Sequence, residues 1–219
     1  MKNIDSKYRI YGRRKGRKKK NINLNKNIIN KIILNEINLN QNNYNILDIG
    51  SGSGENSLYL SKLYPNSKII ACEIFLDGNL NLCNQIFLKK IKNITIYNGN
   101  VIELLDNIKK KNFFDLVWIL FPDPWPKKRH NSRRLLKIKF INQLLKFIKK
   151  NGEIHIATDS KPYLRQILTI VYKLKNYLLW KNQSKTGWEY DINILPKTKY
   201  LKKALKSDRK PFYIKLIKI

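Results

Sequence analysis

Residues 44–56 read YNILDIGSGSGEN, and the order of properties in that stretch decides the fold. A short apolar run comes first. Gly50, Gly52 and Gly54 follow at alternating positions, and ENSLYLSKLY then opens with helix-like spacing. Glycines there let the backbone turn sharply and approach a ligand with no side chain between them. A strand, a glycine turn and a helix in that order form the entry unit of an open α/β sheet.

Working outward, the alternation repeats. SKIIACEI, NITIYNG, FFDLVWILF and GEIHIAT read as further strands, short, apolar and bounded by Gly, Asn or Pro. Between them DGNLNLCNQIFLKKI, VIELLDNIKK, SRRLLKIKFINQLLKFIKKN and KPYLRQILTIVYKLK read as helices. In the third of these, Leu136, Phe140, Leu144, Phe147 and Ile148 fall on one helical face, with Asn151-Gly152 as a C-terminal stop. Strand alternating with helix predicts a mostly parallel twisted sheet with helices on both faces. Ligands of such sheets bind beyond the carboxyl ends of the strands. Those ends carry Asp48, Glu73, Asn100 after a short turn, Asp123, and Thr158 with Asp159.

The chain of 219 residues is long enough for one well-sized domain. Its 45 Lys and Arg against 15 Asp and Glu give a net charge of +30, an excess that points to a polyanionic partner. A Lys-, Ile- and Asn-rich codon bias accounts for part of it. Positions 13–20 hold seven basic residues, and Tyr8 and Tyr11 lie beside them. Residues 1–42 are therefore expected to be a basic, flexible nucleic-acid arm ahead of a domain spanning 43–219. Cys72 and Cys83 form no CxxC and have no histidine cluster, so no metal is expected and both thiols should be reduced. No run approaches the roughly 18 apolar residues of a membrane span, and the N-terminus lacks a secretory h-region. A cytoplasmic location, in a bacterial cytosol or an organelle interior, is expected. Monomer and homodimer both stay open.

The spacing GxGxG, with Asp48 two residues ahead of Gly50, narrows the ligand. A dinucleotide site uses GxGxxG under a pyrophosphate, which Asp48 would repel, and no GxxxxGK[ST] loop is present. S-adenosylmethionine, with an ammonium and a sulfonium, suits that carboxylate, and Glu73 can accept the ribose hydroxyls. The plain alternative is a strand-to-helix turn with a capping Glu.

Residues 121–134, FPDPWPKKRHNSRR, end the fourth strand on a carboxylate and an aromatic stiffened by three prolines, followed by positive charge. Lys127, Lys128, Arg129, Arg133 and Arg134 read as phosphate contacts. His130 reads as a phosphate or loop contact. His155, between Ile154 and Ile156, reads as structural, and Asp159 either caps the next helix or meets substrate.

LDIGSGSG, ACEI, NGNV, FPDPWPKKRHNSRR, ATDSKPY at 157–163 and PKTKY at 196–200 together resemble the tRNA (guanine-N7)-methyltransferase family, and IYGRRKGR is similar to its basic lead-in. The resemblance implies a Rossmann-like class I methyltransferase fold with PFYIKLIKI as an antiparallel C-terminal strand. It implies a cofactor site of Asp48, Gly50, Gly52, Glu73, Asn100 and Asp123, and substrate contacts from Lys127, Asp159, Thr198, Lys199, Tyr200 and Leu201, with Arg129 and Arg133 on the RNA. Two positions depart from the family: Asn100 stands where many members carry Asp, and Leu201 stands where a TKxE-like motif ends in Glu. The expected reaction is methyl transfer from S-adenosylmethionine to N7 of a guanosine in the tRNA variable loop, position 46, with Asp123 as the catalytic group. Rival readings are another RNA base or amino-methyltransferase, since Asp123-Pro124-Trp125 echoes a DPPY-like motif, and a non-catalytic RNA-binding protein. The methylated atom separates the first rival, and cofactor binding the second.

Overall fold

The computed structural model describes Tyr11, residues 44–182, Trp188, Asp191 and residues 196–219. The expected arm lies outside these residues except for Tyr11. The described chain divides into two compact units, one up to Lys109 and one from Lys110 on.

In the first unit, Tyr44–Ile49 form β1, five of whose six residues are buried, the signature of a strand covered on both faces. After it come α1 (Glu55–Leu63), β2 (Ser67–Glu73), α2 (Leu76–Leu88), β3 (Ile94–Asn98) and α3 (Val101–Asn107). β1, β2 and β3 run parallel, with Asp48 opposite Ala71 and Glu73 opposite Asn98. Parallel pairing in register brings the carboxyl ends of the three strands to the same edge, so Asp48, Glu73 and the turn to Asn100 lie at neighbouring tips.

The second unit comprises β4 (Phe114–Leu120), a 3₁₀ turn (Lys128–Arg133), α4 (Ile138–Leu145), β5 (Ile148–Thr158), α5 (Lys161–Lys173), β6 (Leu178–Trp180), α6 (Lys199–Lys206) and β7 (Phe212–Lys218). β5 is parallel to β4, whereas β7 pairs antiparallel with both β5 and β6. The strand order is β3-β2-β1 in the first unit and β4-β5-β7-β6 in the second, the strands of a mixed sheet of the Rossmann-like methyltransferase type, with the C-terminal segment antiparallel as expected.

One expectation fails. The helix read over 132–151 covers only Ile138–Leu145, and Phe147 and Ile148 belong to the turn into β5 and its first residue. The N–H groups of Phe113 and Phe114 donate to the Phe147 carbonyl at 2.6 and 2.8 Å, pulling the chain into strand pairing before another helical turn can close. The register then slips between Phe114 and Leu116, with Asn151 in a left-handed conformation at φ 62° and Lys149 paired to Asp115 at 2.8 Å. Asn151-Gly152 is thus part of a bulge and not a helix stop. Every apolar residue of the supposed helical stripe is buried, so the pattern marked burial correctly and shape wrongly.

Candidate functional site

At the tips of β1, β2 and β3 the glycine loop takes the backbone its composition demands. Gly52 sits at φ 59°, a region costly for residues with a Cβ, and its N–H donates to Glu73 Oε2 at 2.9 Å. Glu73 Oε1 accepts from the N–H groups of Ile74 and Phe75 at 2.7 and 2.9 Å. The Glu73 carboxylate is therefore fixed in direction by three backbone donors. Asp48 is only 1% exposed, its oxygens accepting from Asn56 Nδ2 at 2.9 Å and Ser57 Oγ at 2.5 Å. Burial pushes its carboxyl up to about 6, against the opposing pull of those two donors. Asn100 caps α3, its Oδ1 accepting from the Ile102 N–H at 2.8 Å.

The charge of this edge is exceptional for the chain. Residues 44–61, 69–88 and 97–108, which carry the three tips and all of the following helices except the last turn of α1 with Lys62, contain no Lys or Arg. They contain Asp48, Glu55, Glu73, Asp77, Glu103 and Asp106. A donor set of carboxylates and backbone groups, without one cation, fits a positively charged methyl donor and would repel a pyrophosphate.

In the second unit, β4 runs out into the proline-rich loop. Asp123 stands at the surface, yet partial burial raises its carboxyl above the ordinary range. Lys127, Lys128 and Arg129 are exposed, and the Arg133 guanidinium lies 5.0 Å over the Trp125 ring, which also meets His130 edge-on at 5.8 Å. The His130 ring is held below its usual range by desolvation and by the charges of Arg133 and Lys127. Such a neutral ring beside a bank of cations is a weaker phosphate ligand than its neighbours.

A sequence profile of the family described as "Putative methyltransferase" matches residues 42–214. A curated tRNA (guanine-N(7)-)-methyltransferase of Wolbachia pipientis wMel is 38% identical over 170 residues, 78% of this chain and 73% of that protein. The protein of the same name from Albidiferax ferrireducens is 35% identical over 164 residues, 74% of this chain and 67% of that one. The chain belongs to the tRNA (guanine-N7)-methyltransferase family. Among solved structures, an rRNA methylase from Streptococcus thermophilus superposes with a TM-score of 0.56 at 13% identity, covering 88% of this chain and 93% of that one, a likeness of fold.

Within this tRNA (guanine-N7)-methyltransferase chain, the remaining expected positions divide by exposure. Thr198 is 5% exposed and caps α6, its Oγ1 accepting from the Leu201 N–H at 3.1 Å. Leu201 is 1% exposed, an inward apolar anchor of that helix. Tyr200 is exposed, with the ammonium groups of Lys199 and Lys203 at 5.5 and 5.4 Å from its ring centroid. Asp159 does not cap α5; Ser160 holds that position, and Asp159 Oδ2 accepts from Arg209 Nε at 2.7 Å. His155 is buried against Trp118, with ring centroids 4.5 Å apart. The geometry suits the tautomer whose Nε2–H donates to Glu153 at 2.7 Å while Nδ1 accepts from Tyr213 at 2.6 Å. Burial holds that ring neutral, the structural part expected of it.

Arg134 is a correction. Expected among the phosphate contacts, it is only 4% exposed and turned inward. Gly78, and the backbone conformations of Phe121 and Trp125, escaped sequence reasoning. A Cβ on Gly78 would lie 2.2 Å from the Gly52 carbonyl, so α2 packs against the glycine loop only through a glycine. The motif preceding it, with Glu73 five residues earlier, was the available signal. Phe121 and Trp125 adopt left-handed φ values of 50° and 42°, which no local sequence rule foretells for bulky residues. Among the described residues no group of three or more His, Cys, Asp or Glu is placed to hold a metal ion, and no helix is long and apolar enough to cross a membrane.

Proposed function

We propose that this chain transfers a methyl group from S-adenosylmethionine to N7 of a guanine in tRNA, the target being the variable-loop guanosine at position 46. The observation that carries the reading is the cation-free, carboxylate-lined set of strand tips in a chain of net charge +30. A protein otherwise built for a polyanion keeps one edge for a cation.

S-adenosylmethionine supplies an electrophilic methyl on a sulfonium. Asp48, Gly50, Gly52, Glu73 and Asn100 are the residues proposed to hold it. Glu73 spends three of its roughly four acceptor positions on backbone N–H groups, which aim the remaining one at a ribose hydroxyl. Asn100, whose oxygen caps α3 beside the loop, is assigned to the adenine amino group. Asp48 ties the end of β1 to the first turn of α1 through Asn56 and Ser57 and contributes a buried negative potential.

Guanine N7 has an in-plane lone pair and no proton, so no general base is required. Alignment of nucleophile with methyl supplies most of the acceleration, for which effective molarities of about 10⁵–10⁸ M set the scale. The product purine is cationic, and Asp123 is the carboxylate assigned to follow that charge. Lys127, Arg129 and Arg133 are assigned to phosphates and Asp159 to the guanine edge, with Arg209 fixing its direction. Lys199, half-buried, and Tyr200, exposed, are the assigned contacts of the α6 turn, whereas Thr198 and Leu201 act by holding that turn in place. Because N7 of the target engages in tertiary pairing within folded tRNA, the base must first be exposed. The basic residues 1–42 are assigned to RNA capture ahead of a methyltransferase domain over 43–219.

The test is incubation of the full chain with labelled S-adenosylmethionine and unmodified tRNA, followed by aniline cleavage. Scission at the variable-loop guanosine is expected. Label on an exocyclic amine, or no label despite bound cofactor, overturns the reading.

A further inference from the structure

The loop that carries Asp123 holds an unfavourable backbone on both sides of it. Phe121 and Trp125 are bulky residues in the left-handed region, at φ 50° and 42°. Conformations of this kind persist only where surrounding contacts over-determine them. One end of the loop is tied by the Phe121 N–H, which donates to the Ala157 carbonyl of β5 at 2.8 Å. The other end is tied by an arginine.

Arg134 Nε donates to the Pro124 carbonyl at 2.7 Å, and its Nη1 donates to Gln166 Oε1 at 2.8 Å. Its guanidinium lies 5.0 Å over the Tyr163 ring. Gln166 Nε2 in turn donates to the Leu136 carbonyl at 2.7 Å, and the Leu136 N–H donates to the Tyr163 hydroxyl at 2.9 Å. Gln166 and Tyr163 both stand on α5, and Tyr163 is fully buried. The loop carbonyl, the arginine, the glutamine and the tyrosine thus close a ring on one rigid helix. A buried guanidinium satisfied by neutral dipoles is a costly choice for stability alone, and its planar fork is what fixes direction.

Given methyl transfer at this loop, on which the inference rests, we infer that Arg134 is a positioning residue. Together with Gln166 it locks the carbonyl next to Asp123 and so sets where the Asp123 carboxylate points. It does not bind phosphate.

The experiment compares full-length Arg134→Lys, Arg134→Met and Gln166→Met with the wild type. Single-turnover transfer at saturating tRNA and S-adenosylmethionine, counted per calorimetric cofactor site, should fall about 10- to 100-fold in each, as expected for a reacting group misplaced by an ångström. The tRNA Kd should stay within about twofold, and its salt slope should not change. Lysine should not rescue, because it lacks the fork. A salt slope reduced by about 1 in Arg134→Met, with the saturated rate intact, would make Arg134 a phosphate contact and overturn the inference. If Arg134→Met does not fold, Gln166→Met leaves the arginine in place and decides by the same rate and Kd pair. Trypsin cleavage after Lys127, Lys128 and Arg129 in the native protein should accelerate about tenfold in Gln166→Met; unchanged cleavage removes the clamp. That readout holds even if wild-type protein proves not to methylate guanine N7, an outcome that would sink the reaction and leave the clamp to stand or fall on proteolysis.

Discussion

Asp48 carries its carboxyl where water does not reach, and that has a sign that can be measured. Its folded-state value of about 6 lies above the ordinary 3.8, so the folded protein holds the proton more tightly than the unfolded chain. The favourable contribution is present below about pH 4 and is lost as pH rises through about 6. Two units correspond to roughly 2–3 kcal/mol. In urea titrations from pH 4 to 7, wild type should lose about that much relative to Asp48→Asn, which keeps an oxygen for Asn56 and can donate its amide N–H to the Ser57 hydroxyl; parallel curves would mean the carboxyl is not perturbed. Glu73 is bound differently, by three backbone N–H groups that orient it. Glu73→Ala should weaken S-adenosylmethionine binding about 10- to 100-fold by calorimetry, one lost hydrogen bond to a charged group being worth that much. Asp123→Ala should lower single-turnover transfer by about 10²–10³-fold while tRNA affinity stays nearly intact, the scale of a lost electrostatic contact to a transition state. Equal losses in both would contradict its role.

Among the elements, α2 and the glycine loop are coupled by a missing side chain. Adding a Cβ at residue 78 meets a backbone carbonyl, which cannot swing aside as a flexible side chain would. Gly78→Ala should therefore cost about 1–3 kcal/mol in thermal or denaturant unfolding and weaken cofactor binding with it. An unchanged midpoint would show that the loop yields freely. α6 depends on its first turn, where Thr198 accepts from the Leu201 N–H while Leu201 and Ala204 face inward. The departure of Leu201 from the family's Glu makes sense at this scale, since a buried position of an amphipathic helix favours an apolar side chain over an unpaired carboxylate. The misread helix over 132–151 teaches the converse. Its apolar spacing satisfied a 3.6-residue period, but Phe113 and Phe114 compete for the Phe147 carbonyl, and tertiary strand pairing overrode the local preference.

At the scale of the whole chain, charge is the organising quantity. All 45 basic residues lie outside residues 44–61, 69–88 and 97–108, which carry the first three strand tips; Lys62 stands in the last turn of α1, away from the tip. The seven basic residues at 13–20 belong to the segment proposed to capture RNA. Deleting residues 1–20 should flatten the dependence of tRNA affinity on salt, because each phosphate neutralised contributes about 0.9 to the slope on a duplex. A titration series between 50 and 200 mM salt (about the range where such slopes are read) checks this. An unaltered slope would leave the arm without a part in capture.

The alternation of apolar runs with helical spacing, the glycine turn and the acids placed just past each strand were all readable from the chain alone. They are local properties, carried by residues a few positions apart, and they determined the sheet, its direction and the cationic ligand. What the tertiary structure alone decided was which of those side chains face outward. Arg134 and Gln166 are 32 residues apart, and Asp159 and Arg209 are 50 apart. No periodicity links such pairs, and only the packed chain turns one arginine of a basic run inward while its neighbours stay in water.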